Sequence, residues 1–145
     1  MGSCDIGEGD FSGCTPPGWT AHSGHEGVVR ILLGLGEVKP DSYGQTPLSH
    51  AAWTRREGVV KVLLWRGEVG PDKPGNDGRT PLSQSTWGGH EGVVKILLGQ
   101  ADVNPDRPDS HDRTPLSPAT VNGQEGVAAL LQSRKGLTSS TISRL

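Results

Sequence analysis

The chain is short of the residues that normally fill a globular core. Its 145 residues include one Phe, one Tyr, one Met and four Trp. The two cysteines, Cys4 and Cys14, both lie in a glycine-rich leader at a spacing that fits neither a redox pair nor a zinc knuckle, so they read as ordinary thiols. No apolar run approaches the roughly 18 residues of a membrane helix, and the first residues lack the basic-then-apolar order of a secretion signal. No Asn-x-Ser/Thr sequon occurs. The expectation is a soluble intracellular protein with no membrane partner. Positive charge is not in excess: the net charge of −2 gives no basis for a polyanionic partner, so no nucleic acid is expected. No Ser, His and Asp set forms a nucleophile motif, and no phosphate-cradling glycine loop follows a strand. Neither a catalytic site, a cofactor nor a metal is expected.

What is present is a period. Thr-Pro-Leu-Ser begins at Thr46, Thr80 and Thr114, two successive spacings of 34 residues. Self-similarity at such a spacing marks a stack of repeats rather than a globule. A second marker keeps the same register, in Glu57-Gly58-Val59-Val60, Glu91-Gly92-Val93-Val94 and Glu125-Gly126-Val127. A fourth unit starts at Thr15-Pro16-Pro17 and continues through Gly24-His25-Glu26-Gly27-Val28-Val29, with a connector three residues shorter. The domain plan is a flexible leader over 1–14, an array over 15–133 with units at about 15–45, 46–79, 80–113 and 114–133, and a flexible tail over 134–145. Most of the aliphatic residues fall in four blocks, from Val28 to Leu33, Val59 to Leu64, Val93 to Leu98 and Val127 to Leu131. Such clustering is how a stack builds a continuous core.

Within one unit the local chemistry predicts two helices. The hydroxyl of Thr80 can cap free backbone amides, and Pro81 suits a first helical position where its missing N–H is no loss. That helix should end near Gly88-Gly89. Glu91 then opens a second helix, where its charge meets the positive end of the helix dipole. Val94, Leu97 and Leu98 share one face by their spacing, as do Val60, Leu63 and Leu64 and also Val29, Leu32 and Leu33, while Lys61 and Lys95 point outward. Connectors are rich in Pro, Asp and Asn. Gly44, Gly78 and Asp112 hold a turn position that requires positive φ, and Asp is among the few other residues to tolerate it.

These residues resemble the ankyrin repeat, with its Asp-x-x-Gly-x-Thr-Pro-Leu, Gly-His, Val-Val-Lys-Leu-Leu-Leu and Ala-Asp-Val-Asn pattern. Gly89-His90-Glu91-Gly92-Val93-Val94-Lys95-Ile96-Leu97-Leu98 and Ala101-Asp102-Val103-Asn104 carry the likeness most clearly. Pro71-Asp72-Lys73-Pro74 and Pro105-Asp106-Arg107-Pro108 resemble the longer finger of fungal ankyrin arrays. The resemblance implies an all-α solenoid of about four helix-turn-helix units with projecting turns. It also implies that His25 and His90 brace neighbouring turns instead of binding metal. One departure stands out: where the pattern places an apolar residue two positions after the Leu of Thr-Pro-Leu, this chain has Trp19, His50, Gln84 and Pro118. Polar groups there predict thin cores, and Pro118 predicts a distorted last unit. Pro17 and Gly18 likewise disfavour the first helix of the first unit.

The function that follows from the resemblance is non-catalytic binding of an unidentified protein partner by a monomer, through the concave face of the array. The alternative is a truncated or regulatory fragment of a larger receptor or enzyme without a partner of its own. Trp53 and Trp87 recur seven residues after the repeat threonine, and Arg79 and Arg113 immediately precede theirs. Trp and Arg dominate binding hot spots. Thr54, Gly88 and Asn122 complete the candidate partner-binding set. The competing expectation is that both rings turn inward to fill the space left by His50 and Gln84. At the end of the chain, Ser143-Arg144-Leu145 resembles a peroxisomal address and a PDZ ligand.

Overall fold

The computed structural model describes Ala21 and residues 23–34, 40–66 and 70–133. The expectations for Cys4, Cys14, Pro17, Gly18, Trp19 and the Ser143-Arg144-Leu145 end lie outside these residues. Among the described residues Ala21 and Ser23 are helical, seven further helices follow, and there is no strand. They are α1 (Glu26–Gly34), α2 (Pro47–Trp53), α3 (Glu57–Arg66), α4 (Pro81–Gly88), α5 (Glu91–Leu98), α6 (Leu116–Val121) and α7 over 125–133.

The helix starts follow from their caps. Thr46 and Thr80 keep extended backbone, and each hydroxyl accepts the N–H three residues on, from Ser49 and Ser83, at 3.2 Å. Proline fills the next position in both. The last unit differs. In α2 and α4 the first turn closes through His50 N to Thr46 O and Gln84 N to Thr80 O. Pro118 stands in that register and has no N–H to donate. Ser117 N bonds Thr114 O instead, a tighter i to i+3 closure, and α6 begins only at Leu116 without a side-chain cap. The distorted last unit is therefore present, and its cause is one missing donor.

First helices stack on first helices, α2 on α4 on α6, and second helices on second helices, α1 on α3 on α5. One core runs through the stack, centred on Leu48, Leu63, Leu82 and Leu97 with Val59, Val60, Val93 and Val94. The buried stripe is shifted from the expected one. Val93, Val94 and Leu97 are fully buried, whereas Leu98 is only half-buried. The reason is that α5 packs on two neighbours at once, α4 and α3, so its covered arc extends to Val93. Lys61 and Lys95 are exposed, as their register requires.

The Glu-Gly marker has a packing role. The carboxylate of Glu57 lies where a Cβ on Gly92 would stand, and Glu26 and Glu91 meet Gly58 and Gly126 in the same way. Each second helix thus leaves room near its start for the acidic side chain of the previous unit, where the helix dipole favours negative charge. Positive φ recurs at two positions per unit. Gly44, Gly78 and Asp112 adopt it at φ 72°, 77° and 59° in the turns. Gly24, Arg55, Gly89 and Gly123 adopt it at 78°, 62°, 70° and 68° between the paired helices. A side chain at Gly78 would also strike the backbone of Asp109 and Ser110, so this glycine is needed twice over.

The turn tips are joined across units by backbone bonds, Asn76 N to Tyr43 O at 2.8 Å and Ser110 N to Asp77 O at 3.0 Å. They therefore project to the same side. The long connectors are tied as well: the Arg107 guanidinium donates to Asp72 O at 3.1 Å and lies 3.4 Å from Asp72 Oδ2. Burial pushes the Asp72 carboxyl above its ordinary pKa despite this arginine, and its Oδ1 is buried without a hydrogen-bond donor.

Candidate functional site

The turns and the first helices border a common face, and the candidate residues are placed along it by two short-range devices. The first is a carboxylate inside the turn. Asp41 Oδ1 accepts the amides of Tyr43 and Gln45, both at 2.9 Å, and Asp109 Oδ1 accepts those of His111 and Arg113 at 2.8 and 3.1 Å. Both side chains are almost wholly buried. Gly75 stands in the register of Asp41 and Asp109, so the middle turn lacks this carboxylate. There Asp77 Oδ1 takes the Arg79 amide at 3.0 Å instead.

The second device is the polar residue in the first helix that predicted a thin core. None of His50, Gln84 and Pro118 joins the apolar core, and the two polar groups are paired with the turns. His50 Nε2 lies 2.9 Å from Asp41 Oδ2, tying α2 to its own turn. Gln84 is buried, and its Nε2 donates to Gln45 Oε1 at 3.2 Å, tying α4 to the preceding turn. Pro118 is simply buried. These side chains sit at the edge of the core and reach the turns, so their polarity is satisfied.

On this scaffold Trp87 is covered by two guanidinium groups, Arg79 at 4.8 Å and Arg113 at 5.2 Å from the ring centroid. Both distances are within the range of cation–π attraction. Arg113 is firmly held: its Nε and Nη2 each lie 3.0 Å from Asp109 Oδ2. Burial alone would raise the Asp109 pKa, but the amides of Arg113 and His111 and the Arg113 guanidinium outweigh it and hold the carboxyl below its ordinary value. Arg79 is held loosely, with Nε 3.6 Å from Asp77 Oδ2, too far for a hydrogen bond.

Trp53, one unit earlier, is open. It is 46 % exposed and lines a cleft of about 250 Å3 with Gln45, Ser49, His50, Arg79 and Gln84. Neither ring turns inward to replace a core side chain. Of the other candidates, Thr54 ends α2, its hydroxyl donating to His50 O at 2.7 Å. Gly88 gives room to the His90 ring, whose Nε2 meets Trp53 O at 2.7 Å, so His90 braces the preceding unit. Asn122 is exposed at the end of α6, two units beyond Trp53. Trp53, Arg79, Trp87 and Arg113 are thus brought together, Thr54 and Gly88 adjoin them through backbone, and Asn122 stands apart.

Gln45, Ser49, His50 and Gln84 line the cleft without having been singled out for it. The signal for Gln45 is its register with Arg79 and Arg113. On the opposite side Trp65 is 80 % exposed between two shallow depressions, one bordered by Glu26, Arg30 and Lys61, the other by Leu64, Ile96 and Gln100. No group of three or more potential metal ligands occurs among the described residues, and no described helix is long and apolar enough to cross a membrane.

A family model described as ankyrin repeats in three copies matches residues 2–73, and a single ankyrin-repeat model matches residues 77–110. The first match takes in the stretch set apart above as a leader. No curated protein matches the chain.

Proposed function

Since the chain belongs to the ankyrin-repeat family, we propose that it is a monomeric, non-catalytic module that binds a protein partner along the groove between its turns and first helices. Ankyrin repeats generally serve protein–protein interaction and are generally without catalytic activity. The observation that supports the groove is Trp53. A large ring left 46 % exposed in a cleft contributes little to the core and offers much area to a partner. Trp87 lies under Arg79, which also borders this cleft, and under Arg113.

The test places photo-crosslinking side chains at Tyr43 on a turn tip and at Lys61 beside Trp65. Partner adducts are expected through Tyr43, and Trp53→Ala is expected to abolish them while the melting temperature stays within a few degrees. Adducts through Lys61 alone would move the binding face to the Trp65 side and overturn the groove.

A further inference from the structure

Resting on the groove as the partner face, we propose that the Trp53 cleft receives a carboxylate side chain of an acidic partner peptide, anchored by Arg79. Two copies of one arrangement differ at a single acidic position. In the later copy Trp87 lies beside Arg113, and Arg113 is satisfied by the chain's own Asp109 through contacts of 3.0 Å. In the earlier copy Trp53 lies beside Arg79, in the register of Arg113. The residue in the register of Asp109 is Gly75, which has no side chain to offer.

Something else occupies that space. A Cβ built on Gly75 would meet the Gln45 amide nitrogen at 2.5 Å. Where the later copy has an acidic acceptor, the earlier copy therefore has a hydrogen-bond donor next to a guanidinium. Both favour an anion. Arg79 is the one permanent charge among the six residues of the cleft, and its nearest acidic contact, Asp77 Oδ2, is 3.6 Å away. The Asp41 carboxylate below is 2 % exposed and already bonded to two amides and His50, so it is not the acceptor that Arg79 lacks. A two-pronged pairing of a partner Asp or Glu with Arg79 would restore the arrangement that Asp109 and Arg113 display, with Trp53 covering the flanking part of the peptide.

The register also supplies the test, because Gly75→Asp should give the cleft an internal carboxylate. The Gln45 side chain must swing aside to admit it, and the new Cβ would lie 3.2 Å from the Tyr43 carbonyl oxygen. Panning a display library of short random peptides against the full chain is expected to enrich Asp or Glu at one position. A fluorescein-labelled peptide of the enriched sequence should bind Gly75→Asp about tenfold or more weakly, with the melting temperature unchanged or raised. Arg79→Gln should lose the same binding. Asp77→Asn, which keeps its turn acceptor but removes a competing charge, should gain affinity. A merely structural role for this cluster would instead weaken binding in all three. Peptides that depend on Trp53 but show no acidic preference, or a library that yields no peptide, would overturn the acidic assignment. Partner adducts confined to Lys61 would overturn the groove itself.

Discussion

Arg55 and Asp112 carry backbone strain that their counterparts avoid. Both have positive φ, at 62° and 59°, in registers otherwise filled by glycine. A left-handed L-residue costs about 1 to 2 kcal/mol, less for Asp than for Arg. Arg55→Gly is therefore expected to stabilise the chain by up to about 1 kcal/mol after the added freedom of the unfolded glycine is subtracted, and Asp112→Gly by less. The two sit in different units and should add. Calorimetry checks both, and a lowered melting temperature for Arg55→Gly would show that its side chain contributes more than its backbone costs. Asp109 behaves differently because its charge is held by amides and Arg113. Its folded pKa is depressed, so its contribution is fully present above the ordinary carboxylate value, about pH 4, and is lost as pH falls through the lower folded value. Asp109→Asn should lower the melting temperature at neutral pH, and the gap to the parent should close in acid. A gap that stayed constant below pH 4 would mean that the charge is not what matters. Asp112 was legible in the sequence because its turn repeats in register. Arg55 was not, since the Gly-His marker is absent from its unit. The cover of Arg79 and Arg113 over Trp87 was also hidden, because it depends on side-chain rotamers that register does not specify.

The first helices show how a single backbone donor decides an element. Thr80 caps α4 through Ser83 N at 3.2 Å, whereas Thr114 has no such bond to the Ser117 amide and α6 starts late. Thr80→Ala should then cost about 1 kcal/mol, within the usual range for a lost N-cap, and Thr114→Ala should change stability by less than about 0.5 kcal/mol. Denaturant titration of the two variants distinguishes them. Equal losses would show that the Thr114 hydroxyl caps α6 in solution. The consequence of Pro118 could be read from sequence because a proline has no N–H anywhere. His50 and Gln84 have partners that were not legible in the sequence, for a related reason. Their positions are apolar in the family pattern, and only the placement of Asp41 and Gln45 in the turns reveals that each has a polar partner within 3.2 Å. Helix existence and caps are local facts. Hydrogen bonds spanning 9 and 39 residues are not.

In the whole molecule each described unit touches its neighbours and little else, and this limits how far a lesion travels. The period, the caps and the glycine registers were enough to foresee the stack, because a repeat protein rebuilds the same local solution. The shift of the buried stripe to Val93 was not foreseeable from one helix alone, since it arises from α5 packing on α3 and α4 together. Leu97 lies in that doubly covered region and is fully buried, while Lys95 on the same helix is exposed. Leu97→Ala should cost about 2 to 5 kcal/mol by leaving a cavity, and Lys95→Ala should be nearly silent. Leu131 in α7 is also buried, but α7 belongs to the unit whose first helix is the weakened α6. In a stack of nearest-neighbour interfaces, a terminal unit can open without its neighbours, whereas a central lesion removes support on both sides. Hydrogen exchange followed amide by amide separates these cases. Leu131→Ala is expected to accelerate exchange in α6 and α7 while leaving α4 and α5 protected. Leu97→Ala is expected to accelerate exchange in α3 through α7 together. If Leu131→Ala instead released every helix at once, the array would unfold as one cooperative body, and the shortened α6 would not be the place where opening begins.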